Sequence, residues 1–429
     1  MRTRTLAQTL WACFASGKFP GTPRFPGTRT LLTLALFLGV VGQLLFVPTE
    51  ARAQVEVPPT PFPFPNYPLP LGGPRYEEGG IFVGFSGLFL QQTNPMENQV
   101  IGRRGFIDFD GSIGGVPGRP VGSGEVALQT DDVSGPVTFQ PGMELVVGWR
   151  FRDGIVIEGV WWHLTDARYS ATAGIIPQGF GFGPGLSDTF ITAPVVNFPI
   201  EYAGQGTNLG VGNVGATFGI WNAATEMNID FVQRFDMGAI NVRIPIEETD
   251  TRRFYGLAGI RALIMWERFT WRTTSRDVTG FTTPADQAIY TNVVSNRLYG
   301  GTIGCGYDWF LGSSRFGGFA LTVDLQGSVM FDIVKERAKY QLADPFLATA
   351  ASRAQNEFNF SPVVQGGLHF WWYPTQGIQV RLGYDVLAAF NTVAATEPVD
   401  FNYGALSPPY EDWQTRVFHG FRAGVAFVF

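Results

Sequence analysis

The chain has 429 residues with 45% hydrophobic, 14% aromatic and only 15% charged side chains, 54 glycines, and 30 basic against 36 acidic residues. The acidic balance speaks against nucleic acid as a partner. Two cysteines, Cys13 and Cys305, exclude a disulfide framework, and three scattered histidines give no metal-ligand spacing, so neither metal nor cofactor is expected.

Residues 1–30 carry Arg2, Arg4, Lys18, Arg24 and Arg29 and no acid. An apolar run follows from Leu31 to Val47, then Ala51-Arg52-Ala53. This order predicts a secretory signal peptide over 1–53, cleaved between Ala53 and Gln54. A membrane anchor is the rival, but the small-x-small site directly behind the run favours removal. Without residues 1–53 the chain holds 24 basic and 35 acidic residues, a net charge of −11, and Cys305 is its only cysteine. Residues 54–79 are Pro-rich, an extended periplasmic leader that packs no core.

From residue 80 the pattern is all-β. Ten strands are predicted, at about 80–93, 139–151, 155–170, 216–235, 252–274, 290–311, 316–341, 357–372, 378–393 and 413–429. Adding 121–130 and 239–247 gives twelve, although Pro245 weakens the second. Several strands exceed the usual globular length, and long connections alternate with short ones. Both features predict a transmembrane antiparallel up-and-down β-barrel over 80–429, with long outer loops and short periplasmic turns.

The 152–154 turn is predicted in detail. Arg152-Asp153-Gly154 as a three-residue loop with Gly154 left-handed pairs residues 151 and 155. Val147, Trp149 and Phe151 then share the face of Ile155, Ile157 and Trp161, while Glu144, Arg150 and Glu158 face the lumen. The same reasoning places Asp230 and Arg234 inward, opposite Trp221, Met227 and Ile229, and puts Arg381 and Asp385 inward on 378–390. Strands 216–235 and 252–274, if joined with 236 opposite 251, set luminal Glu226 against luminal Arg261 as an ion pair. Trp161, Trp162, Trp266, Trp271, Trp309, Trp371, Trp372 and Trp413 suit interfacial aromatic belts. In the last strand, Phe421, Ala423, Val425, Phe427 and Phe429 share one greasy face. It is read as the closing strand and as an assembly signal for the barrel-assembly machinery.

The stretches "PGMELVVGWRFRDGIVIEGVWWHL", "NAATEMNIDFVQRF", "RFYGLAGIRALIMWERFT", "NRLYGGTIGCGYDWF", "SPVVQGGLHFWW" and "VRLGYDVLAAFNTVAATEPVDFN" in order resemble the β-barrel porin-7 family of planctomycete-type bacteria. The resemblance implies a barrel in the outer membrane of a diderm bacterium, surrounded by its lipids. It also leads one to expect an acid after Pro362, where this chain has Val363. No nucleophile motif or phosphate loop is present, and no enzyme is expected; the histidines are read as interfacial or luminal. The expected function is a porin-like narrow passage for small hydrophilic solutes, biased to cations if the acids line it. The alternative is a structural or surface-interaction barrel with a closed lumen and functional outer loops. Ten strands lie near the filled end of the barrel range.

Overall fold

The computed structural model describes residues 80–93, 99–108, 111, 113–134, 139–174, 186–193, 221–249, 251–275, 287–314, 316–342, 350–375, 377–395 and 413–429. The chain divides between Thr60 and Pro61, and all described residues belong to the second unit. The signal peptide, its cleavage site and the Pro-rich leader lie outside the described residues.

Ten antiparallel strands close into a barrel. They are β1 (Gly80–Thr93), β2 (Gln140–Arg150), β3 (Val156–Ala173), β4 (Glu226–Glu248), β5 (Arg252–Thr274), β6 (Gln287–Ser314), β7 (Gly317–Leu342), β8, β9 (Ile378–Thr392) and β10 (Gln414–Val428). Strand β8 comes in two pieces, Ala350–Phe360 and Val363–Thr375, which pair with the outer and turn-side parts of β7. The first and last strands complete the ring, from Phe82 opposite Val428 to Thr93 opposite Val417. A closed ring leaves no open sheet edge, as a spanning sheet requires.

The β2–β3 hairpin has the predicted geometry. Arg150 pairs with Val156, Phe151 N donates to Ile155 O at 2.8 Å, and Gly154 N donates to Phe151 O at 3.1 Å. Gly154 has φ +84°, the left-handed conformation that closes a three-residue loop.

The β4–β5 hairpin departs from expectation. Residues 239–247 are not a separate strand but the turn-side half of β4, so the strand runs 226–248 rather than 216–235 and its turn is short. Glu226 therefore stands opposite Thr274, and Arg261 opposite Ala239; the Glu226–Arg261 pair does not exist. Pro245 is tolerated because the register shifts beside it, between Phe254 and Tyr255, and a bulge accommodates a residue with no N–H. With this correction every odd-numbered connection is longer and every even-numbered one short. Residues 126–129 form a small strand outside the barrel wall, pairing with 100–104, which also pairs with 191–192.

The outer wall shows two regimes. On the turn-side half, outward positions are apolar: Ile81, Val83, Phe85 and Phe89 on β1; Gly238, Ile240, Val242, Ile244 and Ile246 on β4; Phe254 to Ile264 at alternate positions on β5. These runs cover nine to eleven residues, the length of a tilted spanning strand. Beyond them the outward face turns polar, with Asp230 and Arg234 on β4, Arg268 and Arg272 on β5, and Lys335 and Arg337 on β7. There the inward face becomes apolar instead: Met227, Ile229, Phe231, Phe269, Trp271 and Tyr340 are all buried. The physical reason is the change of solvent. At membrane height lipid is outside; above it water is outside, and the barrel needs a core of its own. Asp230 and Arg234 are thus exterior, not luminal, and Met227 and Ile229 are interior.

Candidate functional site

The barrel interior is built in four tiers. Its outer mouth is filled by a cap. Ile101, Leu128, Val133, Ile191, Ala193 and Trp221, from the connections after β1 and β3, pack with the inward residues of the upper strands into one apolar cluster. Trp221 and Trp271 rings lie 4.1 Å apart, and Trp221 Nε1 donates to Tyr340 Oη at 3.2 Å.

Below the cap, the start of the β9–β10 connection enters the barrel as a latch. Val393, Ala394 and Ala395 are buried, and their backbone is held by side chains of the wall. Val393 N donates to Asn296 Oδ1 at 2.9 Å, Asn296 Nδ2 donates to Val393 O at 2.8 Å, and Asn292 Nδ2 donates to Ala395 O at 2.9 Å. Glu267 and Arg416 complete this tier as a buried ion pair.

The next tier is an apolar septum. Leu88, Leu90, Trp162, Leu164, Phe235, Met237, Leu263, Met265, Leu298, Met330, Val363, Leu387 and Phe418 come from nine of the ten strands and form one buried cluster. Phe235 and Phe418 rings approach to 4.7 Å. Val363, at the position where the family resemblance implies an acid, is a fully buried member of the septum.

On the turn side of the septum lies a polar chamber of about 120 Å³, bounded near its mouth by Gly154 and Pro245. That volume holds a small group of waters or a small ion, well short of the several hundred Å³ of a typical ligand pocket. Five arginines and four carboxylates line it. Glu144 is the hub: Trp162 Nε1 donates to it at 3.0 Å, Arg422 at 2.8 Å, and Arg381 pairs with its second oxygen. Arg422 also lies 2.8 Å from Asp385 and stacks over the Trp162 ring at 4.6 Å. Arg243 pairs with Glu158 at 2.8 Å and donates to Tyr255 Oη at 3.0 Å; Tyr255 in turn donates to Asp324. Arg253 pairs with Asp308 at 2.6 Å. The Tyr255 ring reaches across β6 to β7 because Gly306 lies beneath it; a Cβ there would meet the ring at 2.2 Å.

Several expected luminal residues are therefore in place. Glu144, Glu158, Arg381 and Asp385 are brought together in the chamber, Arg261 lines it too, and Arg150 faces inward near the turns. Glu226, Asp230 and Arg234 are not part of it. Residues missed by sequence reasoning are Arg243, Arg253, Tyr255, Asp308, Asp324 and Arg422; only the inward parity of their strands could have flagged them. Among the tryptophans, Trp161, Trp266, Trp309, Trp372 and Trp413 face outward, but Trp162, Trp271 and Trp371 point inward and belong to the interior. Trp371 Nε1 donates to Thr322 Oγ1 at 3.1 Å. Phe421, Val425, Phe427 and Phe429 all lie on the exposed outer face of the closing strand.

The three histidines have separate surroundings. His163 bonds Asp236 at 2.7 Å on the exterior, His419 bonds Tyr384 Oη at 2.6 Å near the upper edge of the apolar band, and His369 in the chamber lies 3.5 Å from Asp324. Among the described residues no group of three His, Cys, Asp or Glu could hold a metal ion.

The closed antiparallel ring and its apolar exterior band decide the class. The chain is an outer-membrane-type β-barrel. Among the described residues no helix is long and apolar enough to cross a membrane, and the crossing is made by strands.

No family model matches the chain, and no curated protein matches it. Among solved structures it is similar to the outer membrane protease OmpT of Escherichia coli, at 10% identity and TM-score 0.37, covering 82% of this chain and 97% of that one. It is also similar to the toluene transporter TodX of Pseudomonas putida, at 6% identity and TM-score 0.21, covering 82% and 89%. A third is OprB of Pseudomonas putida, at 8% identity and TM-score 0.15, covering 82% and 94%. At these values the likenesses carry no argument about activity.

Proposed function

We propose that the protein, after cleavage behind Ala53, resides in the outer membrane as a barrel with a closed lumen. In this reading it is a structural or surface-interaction protein whose capped outer mouth is the working face. The supporting observation is the septum, a tier of fully buried apolar side chains from nine of the ten strands that lies between chamber and cap. The latch above it adds a second obstruction, tied to the wall by Asn292, Asn296 and Glu267. Barrels near this strand number are filled by side chains rather than water.

A porin-like passage for small hydrophilic solutes is the second reading, and it is what the resemblance to the β-barrel porin-7 family implies. The charged walls of the turn-side chamber favour it, since they would suit a hydrated solute. It requires septum and latch to leave the lumen together. Neither reading gives the chain a catalytic activity. In both, the last strand with Phe421, Val425, Phe427 and Phe429 serves recognition by the barrel-assembly machinery.

Conductance in planar bilayers separates the two. Folded protein, verified by heat-modifiable electrophoretic mobility, is expected to insert without steady channels. Ohmic steps of constant amplitude would establish the porin reading instead.

A further inference from the structure

Among the chamber arginines, Arg261 stands apart. Arg243, Arg253, Arg381 and Arg422 each have a carboxylate within ion-pair distance. Arg261 is 4% exposed, and among the described residues its one partner is the neutral side chain of Gln326, to which Nη2 donates at 2.5 Å. Its Nε and Nη1 have no partner among the described residues, which leaves at least three of five N–H donors unanswered. A guanidinium cannot relieve burial by losing its proton, and an unpaired buried charge is strongly unfavourable. The nearby carboxylates are already engaged. Asp324 is held by Tyr255, and Glu144 and Asp385 by Arg381 and Arg422.

We propose that Arg261 is the core of a small-anion site in the turn-side chamber, built for a planar monocarboxylate of formate or acetate size. The unanswered N–H groups of the guanidinium are charge-assisted donors suited to carboxylate oxygens. The cavity of about 120 Å³ admits such an anion with a few waters, and its charged walls suit a bare carboxylate better than an aromatic ring. Five arginines against four carboxylates leave the chamber lining with one surplus positive charge, so a single negative charge suits it better than two. Access is from the turn side, where the Arg243 side chain keeps 30% of its exposure. The site lies below the septum, so it is independent of whether the lumen conducts.

The test is calorimetric titration of the full chain, folded in a neutral detergent, with formate, acetate and benzoate at constant ionic strength in gluconate. Formate and acetate are expected to give a saturable one-site isotherm and benzoate none. Arg261→Gln should weaken acetate at least tenfold, Arg261→Lys should retain part of the binding, and exterior Arg234→Gln should leave it unchanged. The proposal is overturned by absence of saturable binding to the wild type, by benzoate binding as tightly as acetate, or by equal acetate binding in Arg261→Gln. The size selection on the wild type decides the matter even if Arg261→Gln does not fold.

Discussion

Glu267 on β5 and Arg416 on β10 meet across the barrel with side chains 0% and 2% exposed. Arg416 Nη2 lies 3.0 Å from Glu267 Oε2 and also donates to the Val393 carbonyl at 2.6 Å, while Ala395 N donates to Glu267 Oε2 at 3.0 Å. The pair therefore ties together two distant strands and the latch. Gln233 Nε2 adds a further donor to Glu267, at 2.7 Å.

Removing one member leaves a buried charge, so Arg416→Met is expected to lower stability by about 3–5 kcal/mol. The double variant Glu267→Leu/Arg416→Met should recover most of this loss, because an apolar replacement strands no charge. Denaturant unfolding in detergent measures both. Equal losses in the single and double variants would mean that the ion pair is not what the latch depends on.

The septum makes a second prediction. Truncating Phe418 to Ala removes the ring that packs on Phe235, and truncating Trp162 removes a buried indole and its bond to Glu144. Each is expected to cost about 3–5 kcal/mol. Together they should join the chamber to the space below the latch, while latch and cap still close the mouth, so the folded double variant is expected to stay silent in planar bilayers like the wild type. Steady conductance steps in the double variant would show that the septum alone closes the lumen.

Period-2 alternation located the strands, but it does not say which face is outside. On β2, β3 and β9 the apolar face is the lipid face, and Glu144, Glu158, Arg381 and Asp385 were legible as luminal. On β4 the rule reverses part-way along the strand. Met227, Ile229 and Phe231 are as apolar as a lipid-facing set, yet they pack inward beneath the cap. Height above the bilayer decides the sense, and no local feature of the sequence encodes it. Register was legible where a glycine fixed the loop, at 152–154. It was lost at 249–251, where Pro245 argued against the strand that carries it. The chamber pairs join strands distant in sequence, such as Glu144 and Arg422, so only the closed ring brings them together.

Two exterior positions on β4 test the reversal of polarity directly. Ile240 is exposed in the apolar band, whereas Asp230 lies on the same outward face in the polar zone. Ile240→Arg is expected to cost about 2–4 kcal/mol in lipid, as charges do near the bilayer midplane. Asp230→Arg should stay within about 0.5 kcal/mol, as surface changes usually do. Unfolding titrations in vesicles measure both, and equal costs would show that the band does not end between them.

The last prediction concerns Gly154. Its φ of +84° closes the three-residue β2–β3 loop, and the loop sets the register that turns Glu144 and Glu158 inward. An alanine there must adopt the left-handed conformation, at about 1–2 kcal/mol. Its Cβ would also come within 3.2 Å of Pro245 Cγ at the chamber mouth. Gly154→Ala is therefore expected to lose about 1–2 kcal/mol, and Gly154→Asn less, since asparagine visits the left-handed region more readily. Both should keep the chamber intact, because Phe151 N can still donate to Ile155 O whichever residue fills the left-handed position. Equal stability for glycine, asparagine and alanine in urea unfolding would mean that a different loop geometry, and with it a different register, joins β2 to β3.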